Sequence, residues 1–339
     1  MARVYLSGAS GFVGGELCRL LAGDDDHVIG LARSDAAAQS VTERGATPAR
    51  GDVLDIGQVA EAMAGCDLAY HVAGVNSHCP EDPAEMMRVN AEGSENAVEA
   101  AARAGVRRLV LTSSSTTIGE RQGVVAHEDT PHRGSFLSDY DESKHEGERR
   151  ALAAAQRLGV DVVAVNPSSV QGPGRAGGTA KFILAYINGK LPVFMDVIVS
   201  VTDVADVARG HVLAAEHGRP GARYVLNGAS VPSGDALRVV AEIAGIDYSV
   251  RMVPPALARG AAVAAETTAR ARGKTTSLCR ARVRTLLHGH RYDASRSERE
   301  LGLEYMPLSE TVARIIDWAY EAGLLTRTLP RHRGLVDPR

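Results

Sequence analysis

The first half of the chain alternates short apolar, β-branched runs with longer alanine-rich stretches in which apolar residues recur at helical spacing. The short runs have strand length, and each intervening stretch has a glycine near its end, as helices often do. This alternation predicts a doubly wound parallel sheet of about seven strands with helices on both faces. The predicted strands are Arg3–Gly8, His27–Arg33, Ala46–Asp52, Asp67–Gly74, Arg107–Ser114, Asp161–Pro167 and Arg223–Gly228.

The pattern changes after Pro167. The segment NPSSVQGPGRAGG is rich in glycine and proline, which predicts a loop that leaves the sheet. The C-terminal third is rich in alanine and arginine and contains an amphipathic stretch, SETVARIIDWAYEAG. We therefore predict a sheet domain over 1–167 and 202–228, a smaller, mainly helical C-terminal lobe over 168–201 and 229–327, and a tail over 328–339.

Composition points to a globular protein with a small-molecule partner. The 339 residues are 45% hydrophobic, which is enough for a large core. The 38 basic and 41 acidic side chains leave a net charge of -3, so the chain lacks the basic surface that nucleic acid requires. We expect neither nucleic acid nor membrane as a partner, because no segment approaches the ~18 continuous apolar residues of a membrane span.

The cysteines and the N-terminal sequence predict a cytoplasmic location. The opening MARVYLSGAS lacks the apolar stretch of an export signal. Cys18, Cys66, Cys79 and Cys279 are scattered without a C-x-x-C pair, which favours reduced thiols over a disulfide framework or a zinc site.

Two histidine groupings suggest metal binding but lack a ligand set. One is His71 with His78 and Cys79, and the other is His288 with His290. Neither brings together enough ligands within its own segment to hold an ion. We therefore predict no metal.

A glycine-rich segment, SGASGFVGG, follows the first predicted strand. Its glycines let the backbone approach a pyrophosphate, whose charge then rests on the amides that open the next helix. The spacing differs from the ordinary G-x-G-x-x-G, but the position after the first strand favours a nucleotide-binding loop. The predicted contacts are Gly8, Ser10, Gly11, Phe12, Val13 and Gly14.

The end of the second predicted strand distinguishes the two nicotinamide dinucleotides. An acidic residue there accepts hydrogen bonds from the ribose hydroxyls of NAD, whereas an arginine favours the 2′-phosphate of NADP. This chain has Ala32, Arg33 and Ser34 at that point and no carboxylate. Because Arg33 can pair with a phosphate bidentately, we expect NADP (NADPH) in preference to NAD.

Two later segments follow strands in the order expected along a bound dinucleotide. GDVLD places Asp52 and Val53 after the third strand, where we expect the adenine ring. HVAG ends the fourth strand with small residues beside the expected dinucleotide track. The predicted contacts from this segment are His71, Val72, Ala73 and Gly74.

Taken together, these motifs resemble the extended short-chain dehydrogenase/reductase superfamily, the NAD-dependent epimerase/dehydratase family. The resemblance covers most of the chain. Within the superfamily, the sequence is most similar to the dihydroflavonol-reductase-like and hopanoid-associated sugar-epimerase-like branch. It implies a Rossmann-type fold and an oxidoreductase. It rests on the glycine loop, DVLD, HVAG, Asn90 in VNAEGSENAVEAA, LTSSSTTIG, NPSSVQGPG and the Y-x-x-x-K pair Tyr140 and Lys144.

The resemblance implies a catalytic triad of Ser114, Tyr140 and Lys144, with Ser115 as the alternative serine. A separation of four residues puts Tyr140 and Lys144 on one helix face. A nearby ammonium stabilises the phenolate of a tyrosine, whose ordinary pKa is ~10. Ser114 can hydrogen-bond the substrate oxygen while Tyr140 gives or takes its proton. The charged residues 146–150 predict a helix face in contact with solvent.

The same resemblance implies further contacts near the nicotinamide. Lys144 is expected to bind the nicotinamide ribose. A homodimer is also implied, in which the helix that begins near Glu92 joins its counterpart in a helical bundle. The implied nicotinamide-side contacts are Asn90, Thr112, Ser113, Tyr140, Lys144, Asn166, Pro167 and Ser169.

Reduction of a ketone or aldehyde by NADPH is the function that these motifs favour, with Tyr140 protonating the alkoxide. A sugar-nucleotide epimerase is the alternative. It favours an acid where Arg33 stands. Arg282, Arg284 and Arg291 offer charges for a diphosphate but fit a solvated helix surface better.

Two other activities fit the motifs less well. A nucleotide-sugar dehydratase has an Asp-Glu pair directly after the active-site serine, where this chain has Ser115 and Thr116. A non-catalytic NADP-sensing regulator typically lacks the tyrosine and lysine that are present here.

The substrate pocket is predicted from loops and from the start of the lobe. Several of these residues are apolar, which favours a hydrophobic carbonyl compound over a sugar. With only 4% aromatic residues in the chain, Phe182 and Phe194 fit a core equally well. The predicted substrate contacts are His78, Ser115, Phe136, Val170, Phe182, Phe194 and Met195.

Overall fold

A computed structural model describes residues 2–24, 26–247 and 249–330, so most of the predicted tail lies outside the described residues. The strands are β1 (Arg3–Ser7), β2 (His27–Ala32), β3 (Thr47–Arg50), β4 (Leu68–His71), β5 (Arg108–Thr112), β6 (Val125–Ala126), β7 (Asp161–Pro167), β8 (Ser169–Gln171), β9 (Val193–Met195), β10 (Ile198–Asp203), β11 (Arg223–Leu226), β12 (Ala229–Pro232), β13 (Arg251–Val253) and β14 (Arg291–Tyr292).

The α-helices alternate with these strands. They are α1 (Phe12–Gly23), α2 (Asp35–Thr42), α3 (Ile56–Met63), α4 (Pro83–Met87), α5 (Gly93–Ala104), α6 (Asp139–Leu158), α7 (Ala180–Ile187), α8 (Val204–His217), α9 (Ser233–Ala244), α10 (Pro255–Ala271), α11 (Arg280–His288), α12 (Ser295–Leu301) and α13 (Leu308–Glu321). A π-helical turn, Arg88–Glu92, precedes α5, and a 3-10 helix, Ser115–Ile118, follows β5. Among the helices described, none is both long and apolar enough to cross a bilayer.

A seven-stranded parallel sheet forms the centre of the sheet domain, in the order β11-β7-β5-β4-β1-β2-β3. The seven predicted strands are all present, and the Rossmann-type α/β fold is confirmed. The strand order reverses between β1 and β4. At such a switch point the carboxyl ends of the strands leave a crevice for a ligand.

Apolar side chains cover both faces of the sheet, as a parallel sheet requires. On one face, Leu17 of α1 and Val207 of α8 pack with Tyr224 of β11. On the other, Met63 of α3 and Val98 of α5 pack in a second core that includes alanines of α6. The helix that the resemblance places in a dimer is α5. One side of α5 already packs against α6 of the same chain. The homodimer itself stays a prediction.

The C-terminal lobe contains more strand than predicted. β8 pairs with β10 and β10 with β12, and β9 pairs with β13. The first of these strands lies inside the segment predicted as a loop. The glycines and the proline that follow β8 form the predicted turn. The strand itself was missed because it forms only by pairing with β10, which is distant in the sequence. Helices α7, α9 and α13 share the apolar core of the lobe.

The prediction of four reduced cysteines was wrong for two of them. Cys79, in the loop after β4, forms a disulfide with Cys279, the residue before α11, across a sequence separation of 200 residues. The Cα atoms are 6.0 Å apart, within the normal range for a disulfide. Cys18 and Cys66 are free and buried. The bridge therefore ties the sheet domain to the lobe.

We expect chemical reduction to destabilise the protein because the bridge closes a very long loop. Without reductant, the Cys79→Ser variant should have an unfolding free energy about 2–4 kcal/mol lower than that of the parent protein. Adding reductant should change the stability of the variant little, because it has no bridge left to reduce. The denatured parent chain should show two reactive thiols without reductant and four with it. Four thiols under both conditions would contradict the bridge.

Candidate active site

A cavity of about 740 Å³ lies at the carboxyl ends of the strands, between the sheet and the lobe. One end is formed by the glycine loop and the other by residues of α7, α9 and α13. Most of the predicted cofactor contacts line it. They are Gly8, Ser10, Gly11, Phe12, Val13, Gly14, Arg33, Asp52, Val53, Val72, Ala73, Gly74, Thr112, Ser113, Tyr140, Lys144, Pro167 and Ser169.

The glycine loop forms a cradle that larger residues would fill. Gly8 has a φ of 74°, and its carbonyl accepts a hydrogen bond from Gly11 N at 2.9 Å. A Cβ atom at Gly14 would lie 2.2 Å from Gly8 O, so the helix α1 can begin this close only with glycine. The amides at the start of α1 thus line an open cradle, which fits the pyrophosphate of a dinucleotide.

Arg33 is the charged residue that the end of β2 contributes to the cavity. Its side chain is exposed and forms no ion pair among the described residues. Ser34 caps α2 by accepting a hydrogen bond from Ala37 N. Asp35 is fully exposed, lies 3.3 Å from Arg50 and is outside the cavity lining. A free guanidinium therefore faces the place where the adenosine ribose of a dinucleotide belongs.

Tyr140 and Lys144 both face the cavity from the first two turns of α6. Ser138 begins the helix and caps it by accepting a hydrogen bond from Asp141 N. Burial raises the pKa of Tyr140 to about 12, and a hydrogen bond with Ser114 acts in the opposite direction. Tyr140, Ser114 and Ser115 all line the cavity, and Ser114 is the serine whose interaction lowers the pKa of Tyr140.

The Lys144 ammonium is held by the backbone of β5. Its Nζ donates to the carbonyl of Thr112 at 2.7 Å. Burial lowers the pKa of Lys144 to about 8, and the carboxylate of Glu148 acts in the opposite direction. Tyr140, Lys144 and Glu148 lie on one helix face at intervals of four residues.

Glu148 contradicts the prediction that residues 146–150 form a solvated face. Its side chain is only 7% exposed and forms an ion pair with Arg223 at 2.7 Å. It also accepts hydrogen bonds from Asn166 at 2.6 Å and Thr117 at 3.2 Å. Glu146, Arg149 and Arg150 do form ion pairs at the surface, so the prediction holds for them.

Three predicted cofactor contacts do not line the cavity. His71 is 1% exposed, and its Nδ1 lies 3.0 Å from Ser7 Oγ. Asn90 binds both the amide and the carbonyl of Val75. Asn166 donates to Glu148 and to the carbonyl of Ser114. Each instead supports residues or backbone behind the cavity.

Five of the seven predicted substrate contacts line the cavity, namely His78, Ser115, Val170, Phe182 and Phe194. Phe136 and Met195 do not. Phe136 packs against the rings of His132 and His145, and Met195 is buried in an apolar cluster with Ala258 and Val283. His78 contacts Tyr140 edge to face, with 5.2 Å between ring centroids.

The sequence prediction missed several polar residues of the cavity. Arg175 comes from the predicted loop and lies 5.4 Å above the Phe12 ring. Asn76 lies in the loop after β4, and Gln171 ends β8. The remaining two come from the lobe, far along the chain, where no local motif signals them. The missed polar lining residues are Asn76, Gln171, Arg175, His290 and Tyr292.

The fold and the Ser-Tyr-Lys grouping beside a glycine cradle define an extended short-chain dehydrogenase/reductase. The model of the NAD-dependent epimerase/dehydratase family matches residues 4–227, and the chain belongs to that family.

Relatives with assigned names include reductases. A Synechocystis sp. protein provisionally named dihydroflavonol 4-reductase is 30% identical over 94% of this chain and 95% of its own length. The 4-hydroxy-2-methyl-3-oxo-4-farnesyl-3,4-dihydroquinoline-1-oxide ketoreductase of Stigmatella aurantiaca is 32% identical over 77% of this chain and 78% of its own length. Among solved structures, that of gox2253 is 30% identical, covers 96% of this chain and 100% of its own, and has a TM-score of 0.84.

The buried ammonium predicts that Lys144→Met stabilises the fold at neutral pH. Since the folded-state pKa of about 8 is below the unfolded value of ~10.4, the charged lysine opposes folding below pH ~8. The variant should gain about 1–3 kcal/mol of unfolding free energy at pH 6.5, and the gain should shrink as the pH rises toward 10.

Urea unfolding at several pH values measures this difference. Lys190→Met, which replaces an exposed lysine, is the control and should leave the pH dependence unchanged. A Lys144→Met variant that is less stable than the parent protein at every pH would contradict the burial argument.

Proposed function

We propose that the protein is an NADP(H)-dependent reductase that converts a ketone or aldehyde to an alcohol, with Ser114, Tyr140 and Lys144 as catalytic residues. One observation carries the proposal. Tyr140, Lys144 and Ser114 line one cavity together with the glycine cradle and with Arg33, whose guanidinium forms no ion pair among the described residues. When bound, NADPH supplies a hydride to the carbonyl carbon.

The proton comes from Tyr140. A pKa of about 12 keeps its phenol protonated at neutral pH, which is the state that reduction requires. Ser114 hydrogen-bonds the substrate oxygen and holds it near Tyr140 Oη. The Lys144 ammonium then stabilises the phenolate that remains after proton donation.

The wall opposite the catalytic residues supports a hydrophobic substrate. Phe182 of α7 and Phe194 of β9 contact edge to face, with 5.3 Å between ring centroids. Val240 of α9 and Ile315 of α13 complete an apolar surface with them. The related ketoreductase carries a farnesyl group in the name of its substrate, which agrees with a ketone that has a large apolar part.

A sugar-nucleotide epimerase is the second candidate, and two cavity arginines favour it. Arg175 and Arg282 line the cavity and form no ion pair among the residues described. Two guanidiniums in one cavity suit a diphosphate, although that of Arg282 also donates to the carbonyl of Ser277 at 2.7 Å. Arg284 and Arg291 do not line the cavity, and Arg284 instead donates to the carbonyl of Leu137, so the predicted arginine set is incomplete.

Purified protein should oxidise NADPH in the presence of a hydrophobic ketone or aldehyde. Tyr140→Phe should bind NADPH as tightly as the parent protein while kcat falls at least ~100-fold, because the proton donor is lost. Absorbance of NADPH and fluorescence titration measure the two quantities. Copurified NAD with no net oxidation of added NADPH would support the epimerase, and full activity of Tyr140→Phe would remove Tyr140 from the mechanism.

Arg33 should set the preference for NADPH over NADH. Arg33→Ala should weaken NADPH binding about 10- to 100-fold, because it removes a charge-assisted contact to the 2′-phosphate, and leave NADH binding unchanged. Arg50→Ala on the adjacent strand removes an exposed arginine outside the cavity and is the matched control. If Arg33→Ala weakens the binding of NADPH and NADH equally, Arg33 does not bind the 2′-phosphate.

A further inference from the structure

Three side chains that can bind a metal ion meet beside the cavity and outside the proposed catalytic triad. Glu120 follows the 3-10 helix after β5, His288 ends α11, and His290 precedes β14. The Glu120 side chain is 1% exposed, and both imidazoles are largely buried. A carboxylate buried this deeply is costly unless a cation or a full set of hydrogen bonds compensates it.

The two imidazoles are the partners of the Glu120 carboxylate within the described residues. Oε1 lies 2.5 Å from His290 Nδ1 and 3.4 Å from His288 Nε2. Arg133 donates to the main-chain carbonyl of Glu120 rather than to its carboxylate. No lysine or arginine therefore forms an ion pair with this carboxylate in the described part of the chain.

Several polar atoms of the cluster lack a partner. Glu120 Oε2, His288 Nε2 and His290 Nε2 are buried without a hydrogen bond. Buried polar atoms are rarely left unpaired in native proteins, and a bound ion is one of the partners that can satisfy them. One ligand atom from each residue can be chosen so that all three lie within 4.8 Å of one another.

We propose that Glu120, His288 and His290 bind a divalent transition-metal ion of the zinc class. Two imidazole nitrogens and one carboxylate oxygen form a donor set that suits zinc. Zinc bonds of ~2.0–2.1 Å place tetrahedral ligand atoms about 3.4 Å apart, which the pair of His288 and Glu120 already shows. Binding requires the contact between His290 and Glu120 to open by about 1 Å.

The backbone on both sides of the cluster is held in place. The strand β14, next to His290, pairs with β6, next to the Glu120 segment. Ser200 Oγ donates to the carbonyl of His290 at 2.7 Å, and Gln122 donates to the carbonyl of Leu287 at 3.0 Å. The ligands are therefore presented by a constrained backbone, which reduces the entropy lost on binding an ion.

The ion joins two parts of the molecule. Glu120 belongs to the segment after β5 of the main sheet, whereas both histidines belong to the lobe. Metal binding thus stabilises the docked lobe. Three protein ligands also leave a coordination position for water or another ligand, and His290 lines the cavity. This role is independent of the proposed reductase activity.

The experiment titrates ZnCl2 into chelator-treated, oxidised protein, in which the Cys79–Cys279 bridge withholds those thiols from zinc. Calorimetry should show one ion per chain with a Kd of about 1 μM or tighter. The melting temperature should rise with zinc. Co²⁺ as a substitute should give the visible absorption of a tetrahedral site.

Glu120→Gln and His288→Gln should each weaken zinc binding at least ~10-fold. His127→Gln, which replaces an exposed histidine, is the control and should leave the affinity unchanged. Circular dichroism checks that each variant folds, and His288→Gln decides the test if Glu120→Gln does not. No stoichiometric binding by the parent protein, or parental affinity in the folded variants, would show that the cluster is a hydrogen-bonded contact without a metal.

Discussion

The positions of the proposed catalytic residues depend on the interactions of one buried carboxylate, that of Glu148. It joins α6 to β11 through the guanidinium of Arg223 and to β7 through the amide of Asn166. Asn166 also donates to the carbonyl of Ser114 at 3.2 Å. A buried charge of this kind is tolerated only when all its partners are in place. The network therefore favours one arrangement of α6 relative to Ser114.

The interactions of Glu148 also determine how α6 orients the side chains proposed to be catalytic. Lys144 and Tyr140 lie one and two turns before Glu148, so fixing Glu148 also fixes the direction of both side chains. The cost is a buried ammonium with a lowered pKa, which Glu148 offsets only in part. Such a group opposes folding, and its burial beside Tyr140 agrees with the catalytic role that we propose for it. The buried charge of Lys144 therefore lowers the stability of the fold, whereas the proposed reaction requires that charge.

Local motifs were predictable from the sequence, and contacts between distant segments were not. The glycine loop and the pair Tyr140 and Lys144 depend on spacing within a few residues, so their pattern is visible before folding. His71 was predicted at the cofactor from its position at the end of a strand, and Asn166 from the family resemblance. Packing shows that both side chains face inward. The partners in the disulfide and in the contact between His290 and Glu120 are 200 and 170 residues apart, respectively, and meet only when the lobe docks.

The two halves of the cavity differ in how strongly they can select a substrate. At the proposed catalytic end, Lys144 is held by its hydrogen bond to the carbonyl of Thr112, whereas the far wall is an apolar surface around Phe182 and Phe194. An apolar wall separates ligands that differ by one methylene only about 10- to 200-fold. Unpaired polar groups discriminate more strongly, because a ligand that fails to satisfy them leaves them buried without a partner. Under the proposed function, we therefore expect the Arg175 guanidinium, which forms no ion pair in the described part of the chain, to limit the choice of substrate more than the larger apolar wall does.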